Sequence, residues 1–92
     1  MTIVIKTIVE RLEVVLEAFD ALAAENPEAL EDLNAEFEDA LMLLSEIDPR
    51  EAGWQEELDD ALEELRALAG DYRRTGVPGV EALAEKLEMA AG

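Results

Sequence analysis

Carboxylates are the side chains that could do chemistry in this chain, because the residues that usually accompany them in active sites are missing. The sequence contains 24 Asp and Glu residues but no His and no Cys. Histidine is the commonest general base, cysteine is the commonest thiol nucleophile, and both bind zinc. Three uses are left for the carboxylates: acid–base catalysis in pairs, binding of a divalent cation, and binding of a positively charged partner.

The acidic residues are concentrated in the middle of the chain. The segment from Glu25 to Glu64 has 16 acidic residues and one basic residue, Arg50, so it carries −15 of the formal net charge of −17. The rest of the chain, with eight acids and six bases, is nearly balanced. A segment with this charge repels itself, and its field attracts positively charged partners.

Hydrophobic residues recur at helical spacing and must position these carboxylates. In the first segment they step alternately by three and four residues from Ile5 to Leu22, which places them on one stripe of a helix. The β-branched residues between Thr2 and Val9 would also suit a strand. Because the spacing continues unbroken to Leu22, a helix capped by Thr2 is the favoured interpretation. This stripe consists of Ile5, Ile8, Leu12, Val15, Phe19 and Leu22.

Three further helices are predicted from their start signals. Asn26-Pro27-Glu28 and Asp48-Pro49-Arg50-Glu51 each combine a capping residue, a proline suited to the first helical position and a glutamate suited to the positive end of the helix dipole. Arg73 and Arg74 favour the end of the third helix, and Pro78 begins the fourth. The three stripes are Leu30, Leu33, Phe37, Ala40, Leu44 and Ile47; then Trp54, Leu58, Ala61, Leu65, Leu68 and Tyr72; then Val80, Leu83, Leu87 and Ala90.

These stripes predict an all-α fold. The expected architecture is one compact helical-bundle domain over residues 1–92, with three long antiparallel helices and a shorter C-terminal helix, because breaks of a few residues make neighbouring helices antiparallel. A hydrophobic content of 50% suits a packed core. The sequence has no basic leader and no apolar run of membrane-spanning length, so we expect a cytoplasmic protein without a signal peptide.

The acidic residues form rows opposite the apolar stripes of the second and third helices. In the second helix two acidic doublets lie seven residues apart, and in the third helix three doublets are spaced three and four residues apart, which are the spacings of helical neighbours. A face that serves only solubility usually carries charges of both signs, whereas these rows are negative only, so their neighbouring carboxylates repel each other. The predicted partner-binding residues are Glu31, Asp32, Glu38, Asp39, Glu56, Glu57, Asp59, Asp60, Glu63 and Glu64.

The sequence does not favour catalysis or a specific metal site. Carboxylates on an exposed helix face have nothing to raise their pKa for acid–base work. Asp32, Asn34 and Glu36 come nearest to a calcium-binding EF-hand loop, but Phe37 replaces its glycine and Leu43 its final glutamate. We therefore expect no enzyme activity, no catalytic residues and no cofactor.

Size and charge resemble those of small acidic nucleic-acid mimics, such as phage-type anti-restriction and anti-CRISPR inhibitors. The resemblance is one of charge and size, and it implies an inhibitor that presents its carboxylates to the basic surface of a nucleic-acid-binding protein. Direct binding to nucleic acid or to an anionic membrane is not expected, because both are negatively charged. The mimic requires the acidic rows to share one face.

The alternative is a helical adaptor or assembly protein that associates through apolar surface, with the acids serving only solubility. Val14, Met42, Leu43 and Met89 fall off the apolar stripes. Single exposed apolar residues are ordinary. However, residues 41–44 are all apolar, so either the fourth helix covers Met42 and Leu43 or they contact a partner, for example in a homodimer.

Overall fold

The computed structural model describes residues 5–91 and contains four α-helices in that range. They are α1 (Ile5–Glu25), α2 (Pro27–Glu46), α3 (Trp54–Arg74) and α4 (Val80–Ala91). The predicted all-α fold is confirmed for this part of the chain, including the β-branched residues from Ile5 to Val9, which are helical. Thr2, the predicted cap of the first helix, lies outside the described residues.

The helices pack so that each has two neighbours. The backbone of α1 approaches those of α2 and α4, and the backbone of α3 approaches the same two helices. Within residues 5–91, α2 and α4 lie on a diagonal, and their backbones do not approach each other. The molecule is elongated, with principal extents of 41 × 18 × 18 Å. The two acidic helices, α2 and α3, are therefore neighbours, and α4 does not cover the outer side of α2.

Three aromatic rings from different helices meet at the centre of the core. Phe19 of α1 stacks on Tyr72 of α3, with ring centroids 3.8 Å apart, and meets Phe37 of α2 edge-on at 6.0 Å. The predicted stripes supply most of the buried residues around these rings. In α4 the stripe differs, because Ala84 and Ala91 are buried and Ala90 is only partly buried.

Asn34 is a buried polar residue that the apolar pattern did not predict. Its side chain is 6% exposed and lies on the core side of α2. The Tyr72 hydroxyl donates a hydrogen bond to Asn34 Oδ1 at 2.6 Å, and Asn34 Nδ2 donates to Asp20 at 3.1 Å. Side chains from α1, α2 and α3 are thus joined by one chain of hydrogen bonds.

Asn26 ends α1 as well as beginning α2. It occupies the N-cap position of α2, as predicted, with Pro27 in the first turn, but its side chain does not cap that helix. Instead, Asn26 Nδ2 donates to the carbonyl of Leu22 at 3.2 Å. The backbone N–H of Asn26 donates to the same carbonyl at 3.1 Å, so the side chain adds a second hydrogen bond at the end of α1.

The predicted start of the third helix at Asp48-Pro49 is wrong, because α3 begins at Trp54. Asp48 folds back on its own turn, where its carboxylate accepts a hydrogen bond from the Arg50 amide at 2.9 Å. The side chain of Arg50 also donates to this carboxylate, which lowers the pKa of Asp48. Gly53 then adopts a left-handed conformation with φ of 83° and takes the N-cap position. The helix predicted from Pro78 likewise begins two residues later, at Val80.

Candidate protein-binding surface

All ten predicted partner-binding carboxylates belong to exposed residues, but those of α2 face two different neighbours. Adjacent helical residues point about 100° apart, so each acidic doublet on α2 is divided. Glu31 and Glu38 line a hollow between α1 and α2, together with Asp20. Asp39 lines the opposite side of α2, against α3. The row predicted along α2 is therefore divided: Glu31 and Glu38 lie toward α1, Asp39 lies toward α3, and Asp32 lines neither depression.

Acidic residues from two helices converge in the depression between α2 and α3, which we call the α2/α3 groove. It consists of two adjoining hollows of about 350 and 390 Å³, both of which are lined by Leu43 and Glu64. None of the residues that line these two hollows is Lys or Arg. The acidic residues that line them are Glu36, Asp39, Glu46, Glu51, Glu57, Asp60, Glu64 and Asp71.

Only part of the predicted set lies in this groove. Asp39, Glu57, Asp60 and Glu64 line it, and Glu63 shares a shallow hollow with Asp60 and Glu64 on the outer side of α3. The other five do not line it: Glu31, Asp32, Glu38, Glu56 and Asp59. The two predicted rows therefore share one face in part, through the residues of each helix that turn toward the other helix.

Four lining carboxylates were not in the predicted set, namely those of Glu36, Glu46, Glu51 and Asp71. The prediction selected acidic doublets, whereas Glu36, Glu46 and Glu51 stand singly in the sequence. A usable signal was the spacing of three between Glu36 and Asp39, which places both side chains on one side of α2.

The basic residues of α3 lie away from the acidic end of the groove. Arg66, Arg73 and Arg74 are all in the second half of α3. Arg66 donates to the Ala91 carbonyl at 3.1 Å, and Arg73 forms an ion pair with Glu88 of α4, which lowers the pKa of Glu88. Arg74 pairs with Asp71, at one end of the groove. Two of these three cations therefore serve the contact with α4, and the groove remains strongly negative.

Leu43 is the large exposed apolar residue of the α2/α3 groove. Its side chain is 56% exposed and lines both hollows. Met42 is 62% exposed but lines neither hollow, because it points to a different side of α2. Because both side chains are more than half exposed, the fourth helix does not cover this pair.

The groove can bind cationic groups, but it does not have the form of an enclosed catalytic or metal site. Its hollows are open, and the lining acids Glu36, Asp39, Asp60 and Glu64 are exposed residues. Among residues 5–91, no group of three or more His, Cys, Asp or Glu side chains is arranged to hold a metal ion. Over the same residues, each helix is too short or too polar to cross a membrane.

Comparison with known proteins leaves this geometry as the basis for inferring function. The chain matches no family model, and no curated protein or solved structure is similar to it.

Proposed function

We propose that this protein is a non-enzymatic inhibitor that binds the basic surface of a nucleic-acid-binding protein through the α2/α3 groove. The observation that supports this function is the convergence of carboxylates from two helices on one groove that no Lys or Arg lines. A surface that served only solubility would not need to gather charge of one sign, because mixed charge avoids the repulsion.

The charge density of the groove is close to that of a nucleic-acid strand. Glu57 and Asp71 lie 14 positions apart in the sequence, which is about 21 Å along α3 at about 1.5 Å per residue. Seven carboxylates from α2 and α3 line the groove along this length. Asp71 is paired with Arg74, so six are left, which is about one charge per 3.5 Å. One strand of B-DNA carries about one phosphate per 3.4 Å. A row of Lys and Arg that accepts a phosphate backbone would meet a comparable density of negative charge here.

An antiparallel course of α2 and α3 would hold the two sets of carboxylates side by side. The short connection between Glu46 and Trp54 supports this course. So do the groove's lining residues, since Glu46 shares one hollow with Glu57, and Glu36 shares the other with Asp71. Both sets would then contact a partner along the whole groove.

Inhibition by this route needs no catalysis. The negative field steers the protein toward a basic channel and raises the association rate, and the bound bundle then excludes nucleic acid from the channel. Phage-type inhibitors of restriction or CRISPR enzymes are the kind of protein that would act in this way. Their targets bind nucleic acid in the cytoplasm, which is where we propose that this protein acts.

The alternative function is an adaptor or assembly protein that associates through apolar surface. The exposed large apolar residues give it limited support, because Val14, Met42, Leu43 and Met89 are distributed over three helices and Met42 and Leu43 point to different sides of α2. A homodimer through Met42 and Leu43 would also bring two acidic surfaces together. Like charges opposed across an interface are unfavourable.

Displacement of DNA from restriction and CRISPR effector complexes tests the proposal. Labelled DNA is bound to each complex, and its release by the wild-type protein is measured between about 50 and 300 mM NaCl. We expect displacement that weakens steeply as salt rises. The double variant Asp60→Lys/Glu64→Lys should lose at least about 100-fold in apparent affinity, because each new lysine faces the partner's cations.

A matched control separates the position of the charge from its amount. Glu13→Lys/Glu17→Lys makes the same change in net charge with the same four-residue spacing, but on α1, outside the groove. It should displace DNA nearly as well as the wild type. Equal losses for both double variants would contradict a binding role for the groove. Binding that persists in high salt and fails in Met42→Ser would instead support the adaptor.

A further inference from the structure

The α2/α3 groove combines charge with a large, exposed apolar residue at its centre. Leu43 lines both hollows, and Ala40 and Ala61 form part of the buried floor beside it. Carboxylates surround Leu43: Asp39 and Glu46 lie before and after it along its own helix, and Asp60 and Glu64 lie on α3. A groove that bound its partner through charge alone would not need an exposed leucine at its centre.

We infer that the groove binds a cationic amphipathic helix, with a narrow apolar stripe on Leu43 and Lys or Arg on each side of that stripe. The inference rests on the proposed function, because it assigns the chemistry of the partner that the same groove would bind. Charge complementarity selects the occupant, since the residues that line the two hollows supply eight acids and no base. The exposed side chain of Leu43 favours an occupant that also has an apolar stripe.

A helix fits this arrangement better than an extended strand does. A helical stripe has residues at positions i, i+4 and i+7 and basic neighbours on both flanks, so one face presents the apolar contact and two rows of cations together. In a strand, successive side chains point to opposite faces, and the residues next to an apolar contact turn away from the groove. A helix of about 14 residues matches the groove, which is about 21 Å long.

A second copy of this chain is a poorer occupant. The surface around Leu43 is acidic, and a symmetric contact would place it against an identical surface. Like charges opposed in this way destabilise an interface. The same argument disfavours an acidic or neutral partner helix, because neither would balance the carboxylates on both sides of the leucine.

Two synthetic peptides of about 14 residues with identical composition test this inference. Both consist of Lys, Leu and Ala; in one the leucines form a single helical stripe, and in the other they are distributed around the helix. Binding to the full-length protein is measured by titration calorimetry at low salt. We expect the striped peptide to bind about tenfold more tightly, because it alone buries the exposed half of the Leu43 side chain.

Leu43→Ser identifies the contact, and Met42→Ser is its matched control. Both residues are exposed and adjacent on α2, but only Leu43 lines the groove. Leu43→Ser should reduce the affinity for the striped peptide to that for the distributed one, whereas Met42→Ser should leave the tenfold difference unchanged. Circular dichroism melts show whether each variant is folded.

Three outcomes would overturn the inference. Equal affinity of the wild-type protein for the two peptides would show that charge alone is recognised, and would leave the proposed inhibitor untouched. Equal effects of the two serine substitutions would show that Leu43 is not the contact. A dimer in sedimentation that Leu43→Ser converts to a monomer would assign the leucine to self-association. The proposed inhibitory function is tested separately, and it would be contradicted if the protein did not displace DNA from the effector complexes.

Discussion

At the scale of single residues, Tyr72 and Asn34 are the pair that does most to define how the core is arranged. Apolar side chains pack in many ways, whereas a buried hydrogen bond needs one geometry. Tyr72 is fully buried, and its hydroxyl donates to Asn34 at 2.6 Å, while Asn34 also reaches Asp20 on α1. The pair therefore fixes the rotation of α2 against α3, and that rotation decides which carboxylates enter the groove.

We predict that Tyr72→Phe lowers the free energy of unfolding by about 1–2 kcal/mol at neutral pH. The ring and its stack on Phe19 remain, but Asn34 Oδ1 is left in the core without its donor. Urea denaturation measures the change. The double variant Tyr72→Phe/Asn34→Leu is the control, and it should recover most of the loss because no unpaired polar atom is left buried. A single variant as stable as the wild type would show that the hydrogen bond contributes nothing.

The difference in free energy of unfolding between the wild type and Tyr72→Phe should depend on pH in the alkaline range. Burial raises the pKa of Tyr72 above its ordinary value of about 10, and the charges of Asp20 and Glu36 act in the same direction. As pH rises past about 10, the unfolded state loses the phenol proton and the folded state keeps it, so the wild-type protein loses stability. The phenylalanine variant lacks this loss. Between about pH 9 and pH 11 its deficit should shrink by about 1.4 kcal/mol, and a constant deficit would contradict the assignment.

At the scale of helices and connections, the sequence predicts the helix interiors better than their ends. The interiors follow from the apolar period, and nearly every predicted stripe residue is buried or packed against the core. The ends depend on competition between local hydrogen bonds. Asp48 has the right type to cap a helix, yet its carboxylate is occupied by Arg50, and the left-handed Gly53 delays the helix to Trp54. Asn26 is likewise occupied by the end of α1.

Gly53 at the N-cap of α3 and Gly70 within α3 provide a matched test of this description. Gly53 has φ of 83° and Gly70 is helical, and a Cβ added at either residue would meet nothing within 4 Å. Gly53→Ala should destabilise the protein by about 1–2 kcal/mol, because only the backbone conformation becomes strained. Gly70→Ala should stabilise it by about 0.5–1 kcal/mol, through lower backbone entropy in the unfolded chain. Thermal unfolding measures both. Effects of the same sign would contradict the assigned backbone conformations.

At the scale of the whole molecule, the distribution of charge could be predicted from the sequence only along the chain. Counting acidic residues along the sequence is enough to find the acidic segment from Glu25 to Glu64. The exposure of its doublets follows from the apolar stripes on the opposite side of each helix. Which carboxylates share a groove depends on how α2 and α3 are rotated against each other, and the core decides this rotation. Glu31 and Asp32 are neighbours in sequence, yet Glu31 lies toward α1 and Asp32 does not share that hollow. For the same reason Glu36 and Glu46 enter the groove although they stand alone in the sequence.

The gathered charge should make the fold depend on salt. With a net charge of −17, self-repulsion destabilises the compact state. Raising NaCl from about 10 mM to about 0.5 M shortens the screening length from about 30 Å to about 4 Å. Relief of on the order of 1–2 kcal/mol should raise the thermal midpoint by about 5–10 °C. The variant Asp60→Asn/Glu64→Gln should melt above the wild type at low salt and converge with it at high salt, because it removes two charges from the groove. A wild-type midpoint that does not change with NaCl would show that the acidic groove has no energetic cost, and the case that its charge is kept for a partner would lose its main physical support.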